Sequence, residues 1–147
     1  MLTVKEKKAI DYAISILEKR MLSGPQLSNA DSVKKFMFLK LNDKEREQFD
    51  VMFLNTQNVL IEHSTMFMGT IDQSPVFPRE IVKKALELNA RSIILAHNHP
   101  SGISAPSLAD KNITAEIVAA CDLFSITVMD HIIVGNDSYS FAEHGLI

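Results

Sequence analysis

The chain has 147 residues, 46% hydrophobic and 22% charged, with a formal net charge of −3, which predicts one globular unit and argues against strong nonspecific DNA binding. Cys121 is its one cysteine, so the sequence excludes a disulfide framework within the chain and a Cys-type zinc finger. No apolar run approaches the roughly 18 residues of a membrane span and the charged N-terminus lacks a signal-peptide pattern, so we expect a cytoplasmic protein.

The first 42 residues are predicted to form an N-terminal helical segment. Apolar residues recur at three- and four-residue spacing from Thr3 to Leu22, which predicts an amphipathic helix. The Gly-Pro pair at positions 24 and 25 should end this helix. A second, shorter helix should then run from Ala30 to Leu41, with Asp31 as its N-cap.

The remaining sequence mixes strand and helix patterns. Two strands joined by a turn at "NTQN" precede a helix that begins at Pro78, and "SIILAH" is typical of a buried strand. A helix is predicted from Ser107 to Phe124, with Leu108 and Phe124 facing inward. A strand at "ITVMDHIIVG" and a short closing strand follow it. This order predicts an α/β (α+β) fold, with a mixed β-sheet flanked by helices.

The stretch "LAHNHPSGISAPSLAD" carries the residues that suggest chemistry. His97 and His99 are two apart at the end of a strand, so both side chains project to the same side. Asp110 lies one turn into the following helix and can point its carboxylate back toward them. Two imidazoles and a carboxylate match a catalytic zinc site, which commonly uses three protein ligands plus water.

The same residues also have a structural interpretation. Ser107 could cap the helix, and Asp110 would be favourable in the first turn near the positive end of the helix dipole. The two interpretations are compatible, because a capped helix is a good platform for a ligand in its first turn.

His97, His99, Ser107 and Asp110 match the HxHx7SxxD core of the JAMM (MPN+) metalloprotease motif. From about Glu47 to the C-terminus the sequence resembles the RadC family of JAB-domain proteins, through segments such as "HNHPSG", "DHIIVG" and "SFAEHG". The resemblance implies a JAB/MPN domain over residues 43–147, with a cytidine deaminase-like three-layer architecture. It also implies a short, stand-alone form without the N-terminal helix-hairpin-helix region of longer members.

The resemblance further implies that His97, His99 and Asp110 bind Zn²⁺, and that Ser107 helps to stabilise an oxyanion. The family's fourth element is a glutamate on an early strand that acts as general base. Glu47, in "REQFDVMFLN", is the first candidate for this base, and Glu62 is the second.

Two functions are compatible with these features. The first is a zinc-dependent hydrolase of the JAMM metallopeptidase type, which cleaves an amide or isopeptide bond of a peptide or protein substrate. The second is a non-catalytic RadC-like binding module associated with DNA repair or mobile-element proteins, a role that the net charge of −3 does not support for direct DNA contact.

Four further residues near the motif have predicted roles. Asn98 should face away from the metal and bond a neighbouring loop, and Gly102 should supply a positive φ. His131 either orients the imidazole of a metal ligand or is a buried structural histidine. Cys121 lies on an apolar helical face and should belong to the core.

Overall fold

Four helices and five strands form within the described part of the chain. The computed structural model describes residues 1–23, 30–69 and 76–147. The elements are, in chain order, α1 (Val4–Ser23), α2 (Ala30–Leu41), β1 (Gln48–Leu54), β2 (Leu60–Met68), α3 (Pro78–Glu87), β3 (Ser92–Asn98), α4 (Leu108–Asp122), β4 (Thr127–Val134) and β5 (Ser138–Ser140).

The strands form one mixed sheet in the order β2-β1-β3-β4-β5, with β3 at its centre. β3 runs antiparallel to β1 and parallel to β4, and all of its residues are buried. A continuous apolar run is typical of such a strand because neither of its faces reaches water. The predicted α/β class with a mixed sheet is therefore confirmed.

Helices cover both faces of this sheet and make three layers. The alternation of side chains along β1 sends Phe49, Val51 and Phe53 to one face, where they pack with buried residues of α3 and α4. Met52 and Leu54 point to the opposite face and pack with buried residues of α2. The alternation along β1 divides the core into two apolar clusters.

Two residues that were predicted to face inward from α4 are instead exposed, Leu108 by 74% and Phe124 by 52%. Leu108 is the first residue of the helix. Phe124 lies beyond the helix, in a turn where Ser125 has a φ of 57° and the Phe124 and Ile126 amides both donate to the Cys121 carbonyl. The prediction was wrong because Leu108 lies in the exposed first turn of the helix and the apolar pattern runs past the helix end to Phe124.

The start of α2 also differs from its prediction. Asp31 lies inside the first turn rather than at the N-cap, and its carboxylate is 3.9 Å from the Lys34 amino group and 3.8 Å from that of Lys35. The helix break that was predicted at positions 24 and 25 falls outside the described residues.

The N-terminal helices pack on the rest of the chain. Phe36, Met37 and Leu41 of α2 are fully buried against the sheet, so α2 contributes to the second apolar cluster. The division into residues 1–42 and 43–147 stays a prediction. Among the described residues, no helix is both long and apolar enough to cross a membrane.

Candidate metal centre

The motif residues meet where β3 ends and α4 begins. The loop between these elements is shaped by Gly102, which has a φ of 85° and whose carbonyl accepts a hydrogen bond from the Asn136 amide. A Cβ on Gly102 would meet only the tip of the exposed Asn136 side chain, which can shift, so it is the backbone angle that favours glycine. The predicted positive φ is confirmed. The loop returns the chain so that α4 starts beside His97 and His99.

A reciprocal cap holds the first turn of α4. The Asp110 amide donates to Ser107 Oγ over 3.0 Å, and the Ser107 amide donates to Asp110 Oδ2 over 2.8 Å. Ser107 is therefore the N-cap of α4, as the structural interpretation predicted. Because the cap draws the Asp110 carboxylate toward the start of the helix, that carboxylate also faces the two histidines.

The nitrogen and oxygen atoms of the three motif residues converge on one point. The Nε2 atoms of His97 and His99 are 3.0 Å apart, and they lie 3.2 Å and 3.1 Å from the two carboxylate oxygens of Asp110. Ligands that bind zinc tetrahedrally with bonds of about 2.0–2.1 Å are separated by about 3.3 Å. The observed separations are close to that value, so the donor set fits one ion with little rearrangement.

Glu47 joins this group from the residue before β1. One of its carboxylate oxygens is 3.9 Å from His97 Nε2. Glu47, His97, His99 and Asp110 each have one atom able to bind a metal ion, and these four atoms lie within 4.8 Å of one another. Glu62 is elsewhere, on β2, where its carboxylate accepts from Ser64 over 2.6 Å and pairs with Lys84 at 2.7 Å. Of the two candidate glutamates, the fold therefore brings Glu47 to the histidines.

A comparison with known proteins identifies the family of this domain. The family model described as "RadC-like JAB domain" matches residues 27–146, which is most of the chain. The chain belongs to the RadC-like JAB domain family. The family match starts about 20 residues before Glu47, the residue at which the sequence resemblance begins. It therefore includes α2 of this RadC-like chain.

Several curated relatives of the RadC-like chain carry the name UPF0758 protein. One from Vibrio cholerae serotype O1 is 44% identical over 96% of this chain and 90% of its own length. YkfG from Escherichia coli K12 is 44% identical over 99% of this chain and 94% of its own length. A relative from Haemophilus influenzae strain 86-028NP is 50% identical over 89% of this chain, but the match covers 60% of that longer protein.

The acidic and basic groups of the RadC-like site change each other's pKa. The hydrogen bond with Asp110 raises the pKa of His99, against an opposing effect of burial. Burial by itself would raise the pKa of Asp110, but its interactions with His97 and His99 outweigh burial and hold that pKa far below its usual range. Asp110 is therefore ionised at neutral pH, as a metal ligand must be.

Asn98 lies between the two histidines on β3 and faces away from them. Its Oδ1 accepts from the Gln48 amide over 2.7 Å, and its Nδ2 donates to the carbonyls of Arg46 at 3.0 Å and Lys44 at 3.3 Å. These bonds confirm the prediction that Asn98 bonds a neighbouring loop. They fix the backbone on both sides of Glu47. Sequence reasoning did not find this link between Asn98 and the backbone around Glu47.

His131 and Thr114 lie beneath the site and complete its surroundings. His131 Nε2 is 2.7 Å from His97 Nδ1, and His131 Nδ1 is 2.6 Å from Thr114 Oγ1. Burial lowers the pKa of His131 well below its ordinary value, so the ring is neutral. Sequence reasoning missed Thr114, although its position four residues after Asp110 places it one turn further along the same face of α4.

Cys121 lies in the core of the RadC-like domain, away from this chemistry. The thiol is fully buried in the first apolar cluster and forms no disulfide. Burial raises its pKa to about 11, so it stays protonated at neutral pH and is a poor nucleophile. The prediction of a core cysteine is confirmed.

Proposed function

We propose that the chain is a zinc-dependent hydrolase of the JAMM metallopeptidase type that cleaves an amide or isopeptide bond. The observation that carries this proposal is the convergence of His97, His99, Asp110 and Glu47, which come from three separate parts of the chain. In this proposal His97, His99 and Asp110 would hold the ion, which would also bind water.

A zinc ion in this site supplies a Lewis acid that makes water nucleophilic at neutral pH. Glu47 takes the proton of the attacking water and passes it to the leaving amine, as general base and then general acid. Its carboxylate is partly exposed, so it can reach both the water and the substrate. This role requires Glu47 to stay beside His97, His99 and Asp110 without binding the ion itself.

Ser107 has a second role in the proposal. Its Oγ accepts a hydrogen bond from the Asp110 amide, which uses a lone pair and leaves the hydroxyl proton to donate. A hydroxyl held at the N-terminus of α4 is well suited to stabilise the oxyanion that forms on the substrate carbonyl. The capping role and the oxyanion role therefore use different parts of the same hydroxyl.

The rival function is a non-catalytic binding module. It predicts that His97, His99 and Asp110 have a structural role and that Glu47 has no chemical task. The placement of a partly exposed carboxylate 3.9 Å from His97 Nε2 favours the hydrolase, because a purely structural site has no need of it. The net charge of −3 also disfavours direct DNA contact.

We infer a cytoplasmic location, since the one cysteine is a free, buried thiol.

The proposal is tested in two steps on the full chain. Elemental analysis of protein that was purified without chelators should find about one zinc per chain. The zinc-loaded protein is then incubated with a proteome-derived peptide library that also contains lysine-linked isopeptides, and new termini are identified by mass spectrometry. We expect cleavage of a defined subset of these bonds.

Glu47→Gln is the decisive variant. It should retain zinc and the melting temperature of the parent, and it should slow cleavage by about 100-fold or more, the usual contribution of a general base. Glu62→Gln is the matched control and should cleave at the parental rate. A zinc-loaded parent that cleaves none of the library, or a Glu47→Gln variant as active as the parent, would overturn the proposal.

A further inference from the structure

Three buried hydrogen bonds connect His97 to the backbone of Asp110. They run from His97 Nδ1 to His131 Nε2 at 2.7 Å, from His131 Nδ1 to Thr114 Oγ1 at 2.6 Å, and from Thr114 Oγ1 to the Asp110 carbonyl at 2.6 Å. His97, His131 and Thr114 are all buried. The relay therefore joins a metal-site residue of β3 to a metal-site residue of α4 through β4.

The direction of every bond in this relay follows from its last member. A carbonyl oxygen can only accept, so Thr114 gives its single hydroxyl proton to Asp110. Thr114 Oγ1 must then accept from His131 Nδ1, which therefore carries the proton of the neutral His131 ring. His131 Nε2 has no proton and accepts from His97 Nδ1–H.

This chain of donors sets the tautomer of His97. A neutral imidazole carries one N–H, and the relay places it on Nδ1. His97 Nε2 is left with a free lone pair, and this is the atom that faces His99 and Asp110. The same tautomer is required of an imidazole that binds a metal ion through Nε2.

Aromatic rings keep the two imidazoles of the relay in place. Phe141 stacks on His131 with ring centroids 4.8 Å apart, and Phe49 meets His131 edge-on at 5.4 Å. Phe49 also stacks on His97, with the two rings 10° from parallel. Because these rings block rotation, His131 cannot easily turn to find other partners.

We propose that Thr114 and His131 are positioning residues that hold His97 as its Nδ1–H tautomer, so that Nε2 is ready to bind the metal ion. The inference rests on the metal site of the proposed function, but it does not depend on hydrolysis. Without the Thr114 hydroxyl, His131 Nδ1–H would be buried with no acceptor, which is costly. The cheaper response is a shift of the His131 proton to Nε2, which moves the His97 proton to Nε2 and blocks the metal position.

The test compares Thr114→Val, which keeps the shape but removes the hydroxyl, with Thr114→Ser, which keeps the hydroxyl. Zinc dissociation constants are measured at one fixed pH by competition with a chromophoric chelator. Thr114→Val should bind zinc about 10- to 100-fold more weakly than the parent, the usual effect of losing a partner of a ligating histidine. Thr114→Ser should restore the affinity to about that of the parent.

A second measurement reads the tautomer itself in metal-free protein. Two-bond ¹H–¹⁵N spectra should find His97 protonated at Nδ1 in the parent and in Thr114→Ser, and at Nε2 in Thr114→Val. A parent spectrum with His97 protonated at Nε2 overturns the inference even if the valine variant does not fold, and so does parental zinc affinity in a folded Thr114→Val. Normal zinc affinities without any peptide cleavage would count against the proposed hydrolase and leave this inference intact.

Discussion

His97 and His99 present the same ring atom to the site because each uses its other nitrogen elsewhere. His99 Nδ1 donates to the Ile103 carbonyl at 2.7 Å, and His97 Nδ1 bonds to His131 at the same distance. Both Nε2 atoms are therefore directed toward Asp110. A histidine that is held at one nitrogen is a better ligand through the other, because its orientation costs no further entropy on binding.

The raised pKa of His99 predicts how the stability of metal-free protein depends on pH. The protonated ring gains its Asp110 partner only in the folded state, so its folded pKa lies above the unfolded value of about 6.5. This contribution is fully present below that unfolded value and is lost as the pH rises through the folded pKa. Urea unfolding in the presence of a chelator should therefore show a falling free energy of unfolding as the pH is raised above about 6.5.

The variant His99→Gln is the control for this pH dependence. It has no titrating group at that position, so its free energy of unfolding should fall less over the same pH range. Parallel pH profiles for the parent and the variant would contradict the assignment of the effect to His99.

Among the elements, β3 organises the site through both of its faces. Its final residues carry His97 toward the metal centre on one side, while Asn98 bonds the segment before β1 on the other. One strand thus fixes His97, a proposed metal ligand, and the backbone that carries Glu47. The distance between the proposed base and the ligands is then set by three hydrogen bonds of one amide side chain.

Asn98→Ala should separate metal binding from catalysis. Zinc content should stay near that of the parent, because His97, His99 and Asp110 keep their own partners. The rate of peptide cleavage should fall by about 100-fold, since a displacement near 1 Å of a catalytic group can have that effect. Both are measured on the same preparation, with elemental analysis and the best peptide of the library.

The exposed Asn112 of α4 offers a matched control for this substitution. Asn112→Ala should change neither zinc content nor cleavage rate. If Asn98→Ala cleaves at the parental rate, or loses zinc together with activity, then the three hydrogen bonds of Asn98 are not what positions the proposed base Glu47.

At the scale of the whole molecule, the site exists only when the sheet and α4 are assembled. Glu47 precedes β1, His97 and His99 lie near the end of β3 and just after it, and Asp110 lies in the first turn of α4, so the unfolded chain does not hold these groups together. A metal ion that binds this group binds the folded state in preference to the unfolded one. Metal binding should therefore stabilise the fold.

Zinc at 1,000 times its dissociation constant should add about 4 kcal/mol to the free energy of unfolding. For a chain of this size that corresponds to a rise in melting temperature of roughly 8–16 °C. The measurement is differential scanning fluorimetry of metal-free protein with and without zinc. His97→Ala should lose the rise and Glu47→Gln should keep it; a full rise in His97→Ala would place the ion elsewhere.

The features that could be predicted from the amino-acid sequence lie within short spans of the chain. The two-residue spacing of His97 and His99 on a strand, and the Ser107 cap with Asp110 in the first turn, follow from the backbone periods of strand and helix. The family and the mixed sheet could be predicted for the same reason, since motif and apolar pattern are local. The ends of α4 could not, because the apolar pattern does not record where backbone hydrogen bonding stops.

Which glutamate meets the histidines depends on how the strands pair. The pairing of β1 with β3 sets Phe49 opposite His97, so the chain just before β1 runs beside the ligands, while Glu62 lies on the neighbouring β2. The same holds for the relay from His97 through His131 to Thr114, which joins three elements. Strand register and helix packing bring together residues that are far apart in sequence, and no local spacing specifies that they will meet.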